Sequence, residues 1–550
     1  HVPSVRVLAE AYMYGNFSTP PNGKISLQFY EQLRDLAPSS DVYYMLGFIY
    51  ATGLFGEVEV DQARATMYYN VASDLGCVRS TMALAYRYKT GIAVEKNCGL
   101  AMHYYGIVAN RSAEYIAKSA IGGPNLDYFA LRVADLQGGI FGQGATETIT
   151  SISRSLVETG YDKDLFNRIQ VDIDETEYTA AYHAGMSLYD STYFTARDYV
   201  GAYAKFDQCA RDGRAYINRV RTPDQVEKLF IGRCAYMVGH MRLRGEGTTQ
   251  DYNEAKDWLN FAVATIGSPK AAIDLALIHE YGLGDTPKNA KTAELFYTNA
   301  LKAKEYSAGV HLAKFFLRRD DTKNGADLLH RAALASNSEA WYHLGKLYER
   351  GIKVQNNCED TTYIFKVFSE SIEPVVARLD WAFRELTCGR FFNALLGYAM
   401  AAEQGYETAQ ASVAYLLYQP PSVMTANFGA NSSVSAEMVK LAALYYARSS
   451  EQGNVDSTIV AGNIYFSGLA SEDGAPDYDG AAVRYQIASK KRSSQATWNL
   501  GYMYERGLGV PQDFHLAKRY YDLALVMNPS AYVPVKAAVL KLHARSWYNK

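Results

Sequence analysis

The sequence predicts an all-α fold, a solenoid of about twelve helix-turn-helix repeats in three sub-blocks. Two observations carry this. An apolar stripe of helical period recurs along the chain with the same glycine and aspartate punctuation each time. The composition, 48% hydrophobic and 21% charged with 42 Gly and 15 Pro in 550 residues, gives ample material for a packed interior and excludes disorder or a collagen-like state. A third feature needs explaining: 45 Tyr against 22 Phe and 5 Trp, which calls for many sites with one apolar side and one polar edge.

Weak copies of the unit begin near Leu8, Ala184, Leu312 and Ala411, with a degenerate one near Ala382. The first clear copy runs from Leu46-Gly47 and Tyr50 through Gly53, Asp61, Ala65, Tyr68-Tyr69 and Ala72 to Gly76. The next is Leu84, Tyr88, Gly91, Ala101, Tyr104-Tyr105 and Ala109. The scheme returns at Val238-Gly239, at Leu275, at Leu344-Gly345 and at Ala461-Gly462. Its fullest copy is Leu500-Gly501, Tyr504, Gly507, Gly509, Val510, Asp513, Ala517, Tyr520-Tyr521 and Ala524. In each, Leu, a small residue and Tyr put an apolar stripe on a first helix, and the small residue lets the partner helix approach closely. The following glycine suits a left-handed C-cap, the later Asp an N-cap. Ala, an aromatic pair and Ala then form the packing face of a second helix.

On these residues the pattern resembles the Sel-1-like repeat, a longer relative of the tetratricopeptide repeat; the Gly-x-Gly-Val-x-x-Asp loop at 507–513 favours the Sel-1-like form. The likeness covers most of the chain and speaks to fold more than to function.

Loss of register suggests the organisation. Residues 1–110 form an N-terminal group of repeats, and 111–180, with Gly122-Gly123, Gly138-Gly139, Gly142 and Gly144, an irregular connector. Residues 181–410 form a middle group and 411–550 a C-terminal group with a loop insertion at 419–437 that opens on Pro420-Pro421. Pro529 and Pro534 punctuate the end of the last repeat, and a basic, apolar helix is expected after them.

Chemistry is hard to find in this sequence. The 55 basic and 58 acidic residues balance to −3, which leaves no electrostatic footprint for nucleic acid. His279 occupies the repeat's tyrosine position and His343 a helix turn, and His279-Glu280 lacks the second histidine of a zinc protease. The Gly-x-Gly turns at Gly245 and Gly507 follow helices and lack the lysine of a phosphate loop. No catalytic, cofactor-binding or metal-ligating residues are assigned. No apolar run spans a bilayer, so the chain is expected to be soluble; it opens at His1 without a signal segment, and a removed leader or distal anchor is expected.

The six cysteines form no Cys-x-x-Cys. In repeat geometry Cys209 and Cys234 lie on antiparallel neighbours that can meet, and Cys358 and Cys388 precede second helices of adjacent repeats. Cys77 and Cys98 sit near opposite ends of consecutive second helices, an awkward pair that reads equally as buried thiols. Sequons stand at Asn16, Asn110 and Asn431, each expected in a loop or at a helix end. Together these features lean to an oxidising, glycosylating compartment.

A long array in three blocks with sequons and paired cysteines resembles the luminal, SEL-1-like adaptors of the endoplasmic-reticulum HRD ubiquitin-ligase complexes. That resemblance implies a non-catalytic substrate-receptor scaffold in the endoplasmic-reticulum lumen that stabilises the ligase, with no cofactor. The implied partners are misfolded glycoprotein clients, a mannose-reading lectin and a membrane RING ubiquitin ligase, and a membrane anchor is implied beyond Lys550. No partner-binding residue transfers, because the matching positions are the repeat's structural ones. Tyrosines off the repeat positions, Tyr115, Tyr128, Tyr161 and Tyr178, are the candidate client contacts. Two other readings stay open: a Sel-1-like scaffold for cytosolic or cell-wall enzymes, and an enzyme with a carboxylate pair in 111–180.

Glycosidase treatment of the protein made in a eukaryotic secretory pathway is expected to increase its gel mobility; unchanged mobility contradicts the glycosylating compartment.

Overall fold

The structure, a computed structural model of the chain, describes residues 1–15, 19–124, 131–142, 146, 177–190, 197–351, 357–418, 436–471 and 473–548. Among these the regular elements are α-helices with three short 3-10 turns, and there is no strand. They divide into two compact units, one of His1–Asn97, Phe129–Asp162 and Val376–Lys550, the other of Cys98–Tyr128 and Lys163–Val375. No described helix is long and apolar enough to cross a membrane.

Each unit is a stack of antiparallel helix pairs. In the first, Ser40–Thr52 packs on Gln62–Asp74, Val455–Ser467 on Tyr478–Lys490 and Ser494–Arg506 on Phe514–Met527. In the second, Gln225–Arg244 packs on Tyr252–Ile266, Pro269–Tyr281 on Ala290–Lys302 and Ala308–Arg318 on Thr322–Leu334. The punctuation works as the spacing requires. The Asp513 side chain accepts from the backbone N–H groups of His515 and Leu516 at 2.8 and 2.9 Å, satisfying donors that the helix itself leaves open. Gly507 ends the preceding helix in the left-handed region, φ 69°, and returns its N–H to the carbonyl of Met503.

The small residue of the first helix is where the two helices of a pair touch. A Cβ on Gly501 would stand 2.8 Å from the Tyr521 ring; on Gly462, 2.7 Å from Tyr485; on Gly47, 2.7 Å from Tyr69. Part of the tyrosine excess follows from the same contact: the ring fills the glycine's gap and, in several repeats, the hydroxyl reaches a polar group of the first helix, whereas the buried Tyr69 hydroxyl makes no hydrogen bond. Tyr521 donates to Glu505 at 2.9 Å, Tyr297 to Glu280 at 2.9 Å and Tyr485 to Asn463 at 2.7 Å. Phenylalanine would leave those buried acceptors unpaired.

The helices and units cut across the expected spans. The limit at 110 falls inside the helix Cys98–Lys118, whose second half has no breaker and carries an exposed Arg111–Glu114 pair at 3.2 Å. Two units replace three blocks, because residues 376–550 pack with 1–97. At the end of the chain a 3-10 turn, Pro529–Ala531, leads into the helix Tyr532–Tyr548, and Pro534 is tolerated in its first turn. The insertion at 419–437 lies almost wholly outside the described residues.

Gly501→Ala is expected to lower the unfolding free energy by about 1–3 kcal/mol, because the Tyr521 ring must shift to admit the methyl group. A urea titration checks this, and an unchanged midpoint contradicts the packing rule.

Candidate protein-interaction surfaces

The first unit is closed by a buried charge cluster built from both ends of the chain. Glu403, at the end of the apolar helix Phe391–Glu403, is 3% exposed. Its Oε2 accepts from Arg87 Nη2 at 3.1 Å, and its Oε1 from Arg448 Nη1 at 2.5 Å and from the Tyr445 hydroxyl at 3.0 Å. Arg87, 0% exposed, also donates to Thr66 at 3.0 Å and Gln62 at 2.9 Å and lies over the Tyr69 ring. Burial alone would push the Glu403 carboxyl up, but the Arg448 and Arg87 guanidiniums and the Tyr445 hydroxyl hold it below its ordinary 4.5. A second clamp lies nearby in sequence: Arg132 donates to Glu407 at 2.7 Å and the backbone N–H of Val133 donates to Ser412 Oγ at 3.1 Å, so residues 131–134 are strapped onto the helix Glu407–Tyr418.

Two surfaces of this unit present aromatic side chains. A groove of about 960 Å³ is walled by Tyr14, Arg79, Arg378, Trp381 and Phe392. Tyr14 meets Trp381 edge-on at 5.5 Å, and the Arg378 guanidinium lies 5.9 Å over the Trp381 ring. The terminal helix Tyr532–Tyr548 buries Val535 and Leu542 and exposes an outer stripe of Val533, Leu540 and Trp547, at 74%, 74% and 82%.

The second unit carries a ladder of acid–base pairs between successive first helices. His240 Nδ1 lies 2.7 Å from Asp274 Oδ2. His311 stacks on the Tyr297 ring at 4.7 Å, 3.9 Å from the Glu280 carboxylate. Lys314 donates to Glu339 at 2.6 Å, and His343 lies 3.4 Å from the same oxygen. Burial, with Lys314 near, lowers the His311 imidazole to about 4, so it is neutral at physiological pH. Burial pushes the Glu339 carboxyl up, while the His343 contact and Lys314 outweigh it and hold it well below the ordinary carboxylate range. The His240–Asp274 and Lys314–Glu339 contacts fix the register of one repeat on the next, while His311 Nδ1 makes no hydrogen bond. His279 stacks on Phe296 at 5.8 Å.

Of the cysteine pairs considered from the sequence, one forms and two do not. Cys209 and Cys234 are joined, with Cα atoms 6.1 Å apart. Cys358 bonds to Cys98 and not to Cys388, with Cα atoms 6.0 Å apart, because the helix Cys98–Lys118 packs beside Cys358–Ser371 and brings the two helix starts together. Cys388, exposed after the helix Leu379–Thr387, and buried Cys77 carry free thiols.

Asn110 is neither in a loop nor at a helix end. It lies inside Cys98–Lys118, where its Oδ1 accepts from the Tyr342 hydroxyl at 3.2 Å, and Ser112 of its sequon is fully buried. Asn16 and Asn431 fall outside the described residues. Tyr115 is 40% exposed on the same helix. Tyr178 packs against the core containing Phe206 and Cys209 and lies 5.8 Å from the Tyr216 ring; Tyr128 and Tyr161 are outside the described residues. Among the described residues no group of three or more His, Cys, Asp or Glu side chains could hold a metal ion.

The Sel1 repeat family matches at residues 4–37, 40–77, 78–110, 232–264, 269–304 and 494–525. The chain is 30% identical over 588 residues, covering 98% of it and 68% of the relative, to the "ERAD-associated E3 ubiquitin-protein ligase component HRD3" of Candida glabrata. It is 23% identical over 99% of its length, and 82% of the relative's, to a Sel1-like repeat-containing protein of Schizosaccharomyces pombe. Over 30% of its length, and 24% of the relative's, it is 37% identical to the "ERAD-associated E3 ubiquitin-protein ligase component HRD3A" of Arabidopsis thaliana.

Glu403→Gln leaves Arg87 and Arg448 buried without a counter-charge and is expected to destabilise the chain by about 3–5 kcal/mol at pH 7. The folded Glu403 carboxyl ionises below its ordinary 4.5, so its contribution is full above that pH and is lost as pH falls through the folded value. The gap between wild type and variant therefore narrows in acid; a gap that is constant from pH 7 to pH 3 contradicts the assignment.

Proposed function

The chain belongs to the Sel1-repeat family of ERAD-associated ubiquitin-ligase components, and from this we propose that it acts as a non-catalytic adaptor on the lumenal side of the endoplasmic reticulum. In this role it receives misfolded glycoproteins, docks a mannose-reading lectin and stabilises a membrane RING ubiquitin ligase. The observation that carries the reading is similarity along 98% of the chain to a relative named as a component of such a ligase. Two features of the molecule support it. Disulfides at Cys98–Cys358 and Cys209–Cys234 suit an oxidising compartment. Stacked helix pairs offer long faces for polypeptides, and the groove at Trp381 and the stripe ending at Trp547 are aromatic surfaces of the kind that anchors protein contacts.

Affinity purification of the tagged chain from microsomes solubilised in mild detergent is expected to bring down a RING ligase and a mannose-reading lectin together. Recovery of neither overturns the adaptor assignment.

A further inference from the structure

The two disulfides stand in opposite settings. Cys209 and Cys234 are 3% and 0% exposed, lie inside the helices Tyr199–Arg219 and Gln225–Arg244, and belong to the apolar cluster that holds Phe206 and Val238. Cys98 and Cys358 are half-buried, and each is the first residue of its helix, Cys98–Lys118 and Cys358–Ser371. A thiol in solution can approach the second pair, whereas the core shields the first.

A helix start also makes this pair reactive. The open N–H groups and the dipole of a helix N-terminus favour a thiolate, and a disulfide exchanges faster the better its departing thiolate is stabilised. The two sulfurs differ in this respect. The first turn that Cys98 opens has no acidic residue, whereas Glu359 and Asp360 directly follow Cys358. Negative charge is better accommodated on Cys98, which makes it the leaving group.

What the bond holds is one helix. The chain passes from the first unit to the second between Asn97 and Cys98, so the helix Cys98–Lys118 enters the second unit there and packs on Cys358–Ser371. That packing is loose. A Cβ on Gly106 would stand 3.8 Å from the Phe365 ring, against 2.6 Å for a Cβ on Gly345, whose helix pairs with Cys358–Ser371 within one repeat. The Asn110–Tyr342 hydrogen bond, at 3.2 Å, is exposed.

We propose that Cys98–Cys358 is a reversible crosslink, opened by a dithiol, that governs how firmly the helix Cys98–Lys118 is docked, while Cys209–Cys234 is permanent. A thiolate of the dithiol attacks Cys358 Sγ, the S–S bond breaks, and Cys98 departs as a thiolate that takes up a proton. The second thiol of the reductant then loses its proton, attacks the reductant's own sulfur in the mixed disulfide and releases Cys358. The two protein sulfurs gain two electrons and the dithiol becomes a disulfide. The crosslink concerns the chain alone, so it stands apart from the adaptor reading.

The test uses the folded full chain carrying Cys388→Ser, which removes the exposed free thiol, with dithiothreitol as the dithiol. Timed alkylation and peptide mapping are expected to show Cys98 and Cys358 appearing as thiols about tenfold faster than Cys209 and Cys234. Deuterium exchange is read on the same samples. Amides of Cys98–Lys118 and Cys358–Ser371 are expected to exchange faster once the bond is open, with those of Gln225–Arg244 unchanged. Simultaneous opening of both disulfides, earlier opening of Cys209–Cys234, or opening of Cys98–Cys358 without a change in exchange overturns the proposal. A brief pulse of reduced glutathione, quenched in acid, reads the direction of attack: glutathione on Cys358 supports it, and glutathione on Cys98 overturns the choice of leaving group. Should Cys388→Ser disturb the fold, the wild-type chain gives the same readings.

Discussion

One buried carboxylate governs the architecture of the first unit. In a simple solenoid each repeat touches only its sequence neighbours. Glu403 breaks that rule by joining Arg87, 316 residues earlier, to Arg448 on the helix Ala436–Glu451. Closing a loop of that length costs little more than closing a short one, since the entropy grows only with the logarithm of length. Specificity is the harder requirement. Apolar helix faces would tolerate several registers, whereas two guanidiniums and a tyrosine hydroxyl satisfy one carboxylate in a single arrangement. The cluster therefore sets which N-terminal helix lies against which C-terminal one.

The second unit takes up the chain part-way through a repeat. Residues 78–110 match one repeat, yet its first helix, Val78–Thr90, belongs to the first unit and its second, Cys98–Lys118, to the other. The second helix packs instead on Cys358–Ser371, and the Cys98–Cys358 disulfide ties together the two helix starts across 260 residues. A crosslink closing a loop of that size restricts the unfolded chain strongly, on the order of several kcal/mol. Within the unit, the pairs from His240–Asp274 to Lys314–Glu339 then carry register from one first helix to the next.

The split between what was legible in the sequence and what was not is a matter of range. Asp513, Gly507 and the Gly501–Tyr521 contact act within one helix pair, so their residue types and spacing announce them. The tyrosine hydroxyls were legible only in part: the sequence required polar partners, and the structure shows carboxylates such as Glu280 and Glu505 buried to receive them. Arg87–Glu403, Cys98–Cys358 and Arg244–Ile121 join residues more than a hundred positions apart, and a repeat pattern is the same whichever repeat comes to lie alongside. Arg87 sits between Tyr86 and Tyr88 in an otherwise ordinary first helix, with nothing local to mark it as buried. Asn110 misled for the same reason, since the helix past it is held by packing on a partner far away in sequence.

The first unit is a single body drawn from both ends of the chain and joined through Glu403. Native-state hydrogen exchange read by mass spectrometry tests this most directly, because helices that share one buried cluster open together. The account predicts that amides of Val78–Thr90 and Phe391–Glu403 exchange with the same opening free energy and respond in parallel to denaturant. Opening of Val78–Thr90 at a clearly lower free energy, with Phe391–Glu403 still protected, would contradict it.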